Sequence, residues 1–151
     1  NAPPFIRDAD VKGKNAYANL EMQRFIAKHG LHRYKMNPKF PFNSISLLRM
    51  LVSLGSDDQI KLIEMLTPAI WEEGLDVSDA TAVAMILTKA GLDAEFLIAK
   101  AQDPAIKQAV INNTEKAVER GVFGIPTFFI GEEMFFGKER LEQIEEMLEK
   151  S

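Results

Sequence analysis

The chain has 151 residues, 46% of them hydrophobic and 26% charged, which supports an ordinary domain with a real core and excludes wholesale disorder. Its net charge of -4, with lysines and arginines scattered through the chain, argues against a nucleic-acid binder or a polybasic membrane contact. The lack of cysteine excludes disulfides, thiolate zinc sites and a cysteine nucleophile from these residues, and no apolar run reaches the roughly 18 residues that span a bilayer.

Residues 1–14 are rich in proline, glycine and charge, and read as loop. The opening Asn1-Ala2-Pro3-Pro4 reads like the middle of a loop, so the expectation is a further segment upstream of it. From Asn15 the pattern becomes helical, with Tyr17, Leu20, Met22, Phe25 and Ile26 near one face and Gly30 as a stop. Asn37-Pro38 and Phe40-Pro41 break the chain. Asn43 or Ser44 can then cap a helix carrying Ile45, Leu47, Leu48, Met50 and Leu51. Ser56 and Asp57 start the next helix, with Ile60, Leu62, Ile63, Leu66 and Ile70 on its apolar side, and Pro68 is expected to kink it or end it early.

After Gly74, Ser78 and Asp79 open a helix through Ala90 with Val83, Ile86 and Leu87 inward. Asp93 caps another short one. Asp103-Pro104 supplies a cap and a first-turn proline for a helix to about Arg120. The period then changes from 3.6 to 2. Thr127 to Ile130 reads as a strand, Gly131-Glu132 as a tight turn, and Met134-Phe135-Phe136 as the hairpin partner. Residues 138–149 form a last amphipathic helix with Leu141, Ile144, Met147 and Leu148 inward. Trp71, Phe96 and the methionines read most simply as core. A lone hairpin is marginal in water, so a sheet partner is expected from strands upstream of Asn1.

Gly124-Ile125-Pro126-Thr127 enters the first strand through an X-Pro bond, a design that suits a cis proline. It resembles the cis-proline loop of thioredoxin-fold proteins. Followed by a hairpin and Phe136-Gly137-Lys138-Glu139-Arg140, it is similar to the C-terminal half of the DsbA-like superfamily. The best match is to the 2-hydroxychromene-2-carboxylate isomerases and kappa-class glutathione transferases. Asn1-Ala2-Pro3-Pro4, Lys14 three residues before Tyr17, and Phe40-Pro41-Phe42-Asn43 resemble further motifs of that family. The resemblance implies an α/β thioredoxin-like fold with a large helical insertion. Residues 1–14 would be the active-site loop, 15–118 the insertion with its flanking helices, and 119–151 the C-terminal thioredoxin half.

The resemblance also implies roles. Glutathione is the expected cofactor. Ile125, before Pro126, would pair its backbone with the cysteinyl unit like an added strand. Lys138 and Glu139 would hold the γ-glutamyl end, although the family usually has Ser, Asn or Gln followed by Asp there. A plainer reading is a helix-start acid that stabilises the helix dipole. Asn1 and Lys14 would contact glutathione from the opposite side, with Lys12 the rival for Lys14 and an ordinary solvated lysine the plainer reading of either. Asn43 could line the electrophile side, or simply cap its helix. His29 and His32 read as surface residues, no metal is expected, and Phe5, Met36, Phe40 and Phe42 could wall an aromatic pocket. The family's catalytic serine belongs to a strand–loop–helix unit upstream of Asn1, so no catalytic residue can be named here.

The implied activity is a glutathione-dependent isomerase or transferase acting on a small, aromatic or electrophilic substrate. A thiol–disulfide oxidoreductase and a catalytically incompetent binding module are the alternatives. A homodimer and a cytoplasmic location are expected, with no nucleic-acid or membrane partner.

Overall fold

A computed structural model describes residues 11–149. Seven α-helices and one hairpin follow in order: α1 (Lys14–Lys28), α2 (Ile45–Val52), α3 (Ser56–Trp71), α4 (Ala80–Lys89), α5 (Ala94–Lys100) and α6 (Pro104–Glu119). Then come β1 (Thr127–Ile130), β2 (Glu133–Phe136), a 3-10 turn (Lys138–Arg140) and α7 (Leu141–Glu149). The starts of α4, α5 and α6 follow the sequence closely because short acidic side chains satisfy their free first-turn amides. The Asp79 carboxylate accepts from Thr81 and Ala82 N–H, at 2.9 and 3.1 Å. Asp93 accepts from Phe96 N–H, and Asp103 from Ala105 N–H just past the first-turn Pro104.

One apolar core joins four helices. Leu47 and Met50 of α2, Leu62, Leu66 and Ile70 of α3, Val83 and Leu87 of α4, and Leu97 of α5 meet with Ala101. α6 lies across α2, while α5 packs on α2 and α4. A single buried polar side chain fastens the loop before α2 to this core. Asn37 is 2% exposed; its amide donates to the Ile70 and Leu75 carbonyls, each at 2.9 Å, and its oxygen accepts from Lys39 N–H. All of its principal hydrogen-bonding capacity is therefore used, which removes the penalty of burying it.

Pro68 does not end α3 early: the helix continues past it to Trp71. Leu66 and Ile70 are buried on either side of it, each gaining about 1.5–3 kcal/mol. Together they offset the roughly 3 kcal/mol cost of an interior proline. Its carbonyl then closes the helix by accepting from Glu72 and Glu73 N–H, at 2.8 and 3.1 Å.

The expected apolar faces are only partly covered. Tyr17, Leu20 and Met22 of α1 are exposed, and so are Leu141 and Leu148 of α7. Phe96, Met36 and Met85 are also exposed rather than core, and Trp71 is half-buried. Periodicity marks a face without saying whether anything packs on it. Met50 alone among the methionines is fully buried in the described residues.

The hairpin has the expected two-residue turn at Gly131-Glu132, with Thr127 opposite Phe136 and Ile130 opposite Glu133. Among the described residues the sheet has these two strands alone. Phe135 is buried beneath it, and the Arg120 guanidinium lies 3.5 Å from the Phe129 ring centroid.

Candidate functional site

The site is built where the chain leaves α6 and enters β1. The Ile125–Pro126 bond is cis, as the motif suggests, and Phe40–Pro41 is a second cis bond that the sequence reading did not single out. Thr127 Oγ1 donates to the Gly124 carbonyl at 2.6 Å, closing the loop on itself. Gly124 lies under the Phe136 ring, where a Cβ would come within 2.8 Å of Phe136 Cε2. Phe123 stacks on the same ring at 4.6 Å. The loop is thus held from below, and Ile125 stands out from it, 90% exposed. Among the described residues nothing hydrogen-bonds to the Ile125 backbone. A residue with free N–H and C=O groups next to a strand can pair with a peptide-like backbone as an added strand.

One hydrogen bond ties this loop to the next candidate residues. Gly137 N–H donates to the Pro126 carbonyl at 2.9 Å, and Lys138 and Glu139 follow at once in the 3-10 turn. Four candidates, Ile125, Pro126, Lys138 and Glu139, therefore share one end of the hairpin. The Lys138 ammonium pairs with the Glu139 carboxylate and sits 4.6 Å from the centroid of the Phe25 ring on α1. That Lys138 hydrogen bond, first, and the residue's own N–H, second, hold the Glu139 carboxyl below its ordinary value. Arg140 adds a smaller attraction in the same direction.

Between the turn and α1 lies a cavity of about 280 Å³, walled by Arg24, Phe25 and Lys28 on one side and by Lys138, Glu139 and Glu142 on the other. Lys28 bridges to Glu142 at 2.5 Å, and Arg24 pairs with Glu21. His29 occupies the end of α1, its ring 4.3 Å from that of Phe25, and His32 is exposed in the following loop. The sequence reading missed the α1 wall, because Phe25 looked like one more apolar position on a helical face.

The remaining candidates lie elsewhere. Lys14 opens α1, and its Cα is about 16 Å along the helix axis from that of Phe25. Lys12 is in the turn before it, and Asn1 and Phe5 lie outside the described residues. Asn43 precedes the N-cap residue Ser44, and its Oδ1 accepts from Ile45 N–H at 3.0 Å. It also lines a separate cavity of about 270 Å³ with Ser46 and Met50. Phe40 and Phe42 pack on Trp71 at 6.0 and 5.9 Å, and Tyr34 stacks on its other flank at 6.1 Å. Tyr34 and Trp71 wall an apolar cavity of about 520 Å³, with Met22 and Leu31. No group of three His, Asp or Glu side chains suited to a metal occurs among the described residues. No helix there is long and apolar enough to cross a membrane.

Comparison with known proteins agrees with this architecture. A family model described as a DsbA-like thioredoxin domain matches residues 1–149. The chain is 29% identical over 140 residues to 2-hydroxychromene-2-carboxylate isomerase from Pseudomonas putida, covering 90% of this chain and 66% of that protein. It is 30% identical over 151 residues to the protein of that name from Sphingobium xenophagum, covering 98% of this chain and 74% of that one. A match of 28% to the Pseudomonas sp. (strain C18) protein again spans 66% of the relative. The chain thus covers just under two thirds of the length of both Pseudomonas relatives. A solved 2-hydroxychromene-2-carboxylate isomerase structure superposes with a TM-score of 0.82 at 25% identity, over 99% of this chain and 71% of that one. With a domain match along nearly its whole length, a shared fold and the cis-proline loop in place, this chain belongs to the DsbA-like thioredoxin family, and the relatives it resembles are named 2-hydroxychromene-2-carboxylate isomerase.

Proposed function

We propose that this protein is a glutathione-dependent isomerase for a small aromatic or electrophilic substrate, of the kind its relatives are named for. The observation that carries the reading is Ile125, which presents an unpaired backbone to solvent beside the Lys138–Glu139 pair. Glutathione, when bound, would supply a nucleophilic thiolate for an electrophilic substrate carbon, regenerated at the end of each isomerisation.

The residues of this chain position that tripeptide. Ile125 N–H and C=O pair with the cysteinyl backbone, and Pro126 fixes the direction in which they point. Lys138 and Glu139 offer a cation and an anion side by side, which fits the carboxylate and ammonium of the γ-glutamyl end. By family resemblance, Asn1 and Lys14 are assigned to the glycyl end, the lysine to its carboxylate. Such positioning lowers the entropic barrier to attack. A serine hydroxyl upstream of Asn1 lowers the thiol pKa, and the enzyme works as a homodimer.

Calorimetric titration of the full-length protein with glutathione tests the reading, together with isomerisation of 2-hydroxychromene-2-carboxylate followed by absorbance. Binding at millimolar concentration or below, and turnover that vanishes when glutathione is withheld, are expected. No heat of binding at millimolar glutathione, or undiminished turnover without it, sinks the proposal.

A further inference from the structure

We propose that the C-terminal half of α1 forms the second wall of the ligand cleft and that Phe25 is a positioning residue there, holding the Lys138 ammonium where the amino-acid end of the ligand arrives. The inference rests on the glutathione reading and names what selects that end of the tripeptide. Lys138 carries a flexible four-carbon stem whose ammonium would otherwise range through solvent, and fixing it costs rotamer freedom. Two contacts fix it: the Glu139 carboxylate on one side and the Phe25 ring face, 4.6 Å away, on the other. The ring itself has a close neighbour in the His29 imidazole, tilted 43° to it with centroids 4.3 Å apart. Only a third of the Lys138 side chain remains accessible, whereas Glu139 stays two-thirds open.

The neighbouring cations are already engaged, Arg24 with Glu21 and Lys28 with Glu142. Lys138 differs from them in resting on an aromatic face as well as on its acid. A cation held over a ring keeps its charge directed at the cleft even when a ligand competes for Glu139. A cation and an anion at fixed separation select a group bearing both an ammonium and a carboxylate, which is an α-amino-acid terminus. Removing the ring leaves both charges present but frees the cation, so affinity for that terminus falls while the rest of the ligand is bound as before.

The test compares glutathione with cysteinylglycine, which lacks the γ-glutamyl residue, on the wild-type protein and on Phe25→Leu and Phe25→Tyr. Thermal unfolding serves as a control for folding. Phe25→Leu should weaken glutathione roughly fivefold and leave cysteinylglycine unchanged, and Phe25→Tyr should restore wild-type affinity for glutathione. Equal weakening of both ligands by Phe25→Leu, unchanged glutathione affinity in that variant, or a Phe25→Tyr variant that folds but binds no better than Phe25→Leu would overturn the inference. Wild-type protein that binds no glutathione removes the functional reading and this inference with it. Intact binding in Phe25→Leu removes this inference alone.

Discussion

Gly137 is the residue on which the two parts of the candidate cleft meet. Its φ of 97° and ψ of 152° lie in a region open almost only to glycine. Its N–H reaches back to Pro126, and a Cβ there would lie 2.7 Å from a Glu139 carboxylate oxygen. Gly137→Ala should therefore cost about 1–3 kcal/mol through backbone strain, and should also displace Glu139. Thermal unfolding should show a Tm several degrees lower, and glutathione titration a weaker affinity. A variant with wild-type values for both would show that neither the conformation nor the approach matters. Legibility at this scale depended on sequence distance. Gly124-Ile125-Pro126-Thr127 could be read because everything that shapes it is adjacent in the chain. The Phe25 contact with Lys138 could not, because it joins a helix near one end of the chain to a turn near the other. Asn37 was equally opaque: Asn-Pro reads as a chain break, and nothing local says that its amide will meet the carbonyls of Ile70 and Leu75.

At the scale of elements the sequence was most informative about beginnings and ends. Asp79, Asp93 and Asp103 each cap the helix they precede, and the hairpin keeps its expected register. Asp79→Ala leaves two first-turn amides of α4 without their acceptor, and should destabilise the protein by about 1 kcal/mol. Urea unfolding should move to lower midpoint with an unchanged slope, whereas Asp79→Asn or Asp79→Ser should recover most of the loss. An Asp79→Ala midpoint equal to wild type would mean that the cap contributes nothing. Burial was harder to read than extent. Pro68 looked like a terminator because propensity is local, yet α3 continues through it on the strength of Leu66 and Ile70. Leu141 and Leu148 looked inward because α7 is amphipathic, yet both are exposed.

Across the whole molecule, charge does much of the joining that apolar contact does inside the helical core. The Lys28–Glu142 bridge connects α1 to α7, and its hydrogen bond, followed by the Lys28 charge, holds the Glu142 carboxyl below its ordinary value of 4.5. A carboxyl that is more acidic when folded contributes stability above its ordinary pKa, and that contribution disappears as pH falls through the folded value. Glu142→Gln should accordingly lower Tm slightly near neutral pH, and the two proteins should converge as pH falls through the lowered folded value of the carboxyl. A difference that persists undiminished in acid would assign the effect to packing instead of charge.

The buried core cluster draws on α2 to α5 and Ala101, whereas α1 and α7 contribute no fully buried residue among those described. The cleft proposed for glutathione is therefore walled by α1 and by the turn before α7, joined by the Lys138–Phe25 contact and the Lys28–Glu142 bridge rather than by the core cluster. Whatever binds between Ile125, Phe25 and Glu139 bridges α1 and the end of the hairpin, two parts of the fold that lie outside the core cluster. Affinity at this site is then a property of α1 and α7 as whole helices. A change on either one that never touches the ligand, but loosens its docking, will be felt as weaker binding.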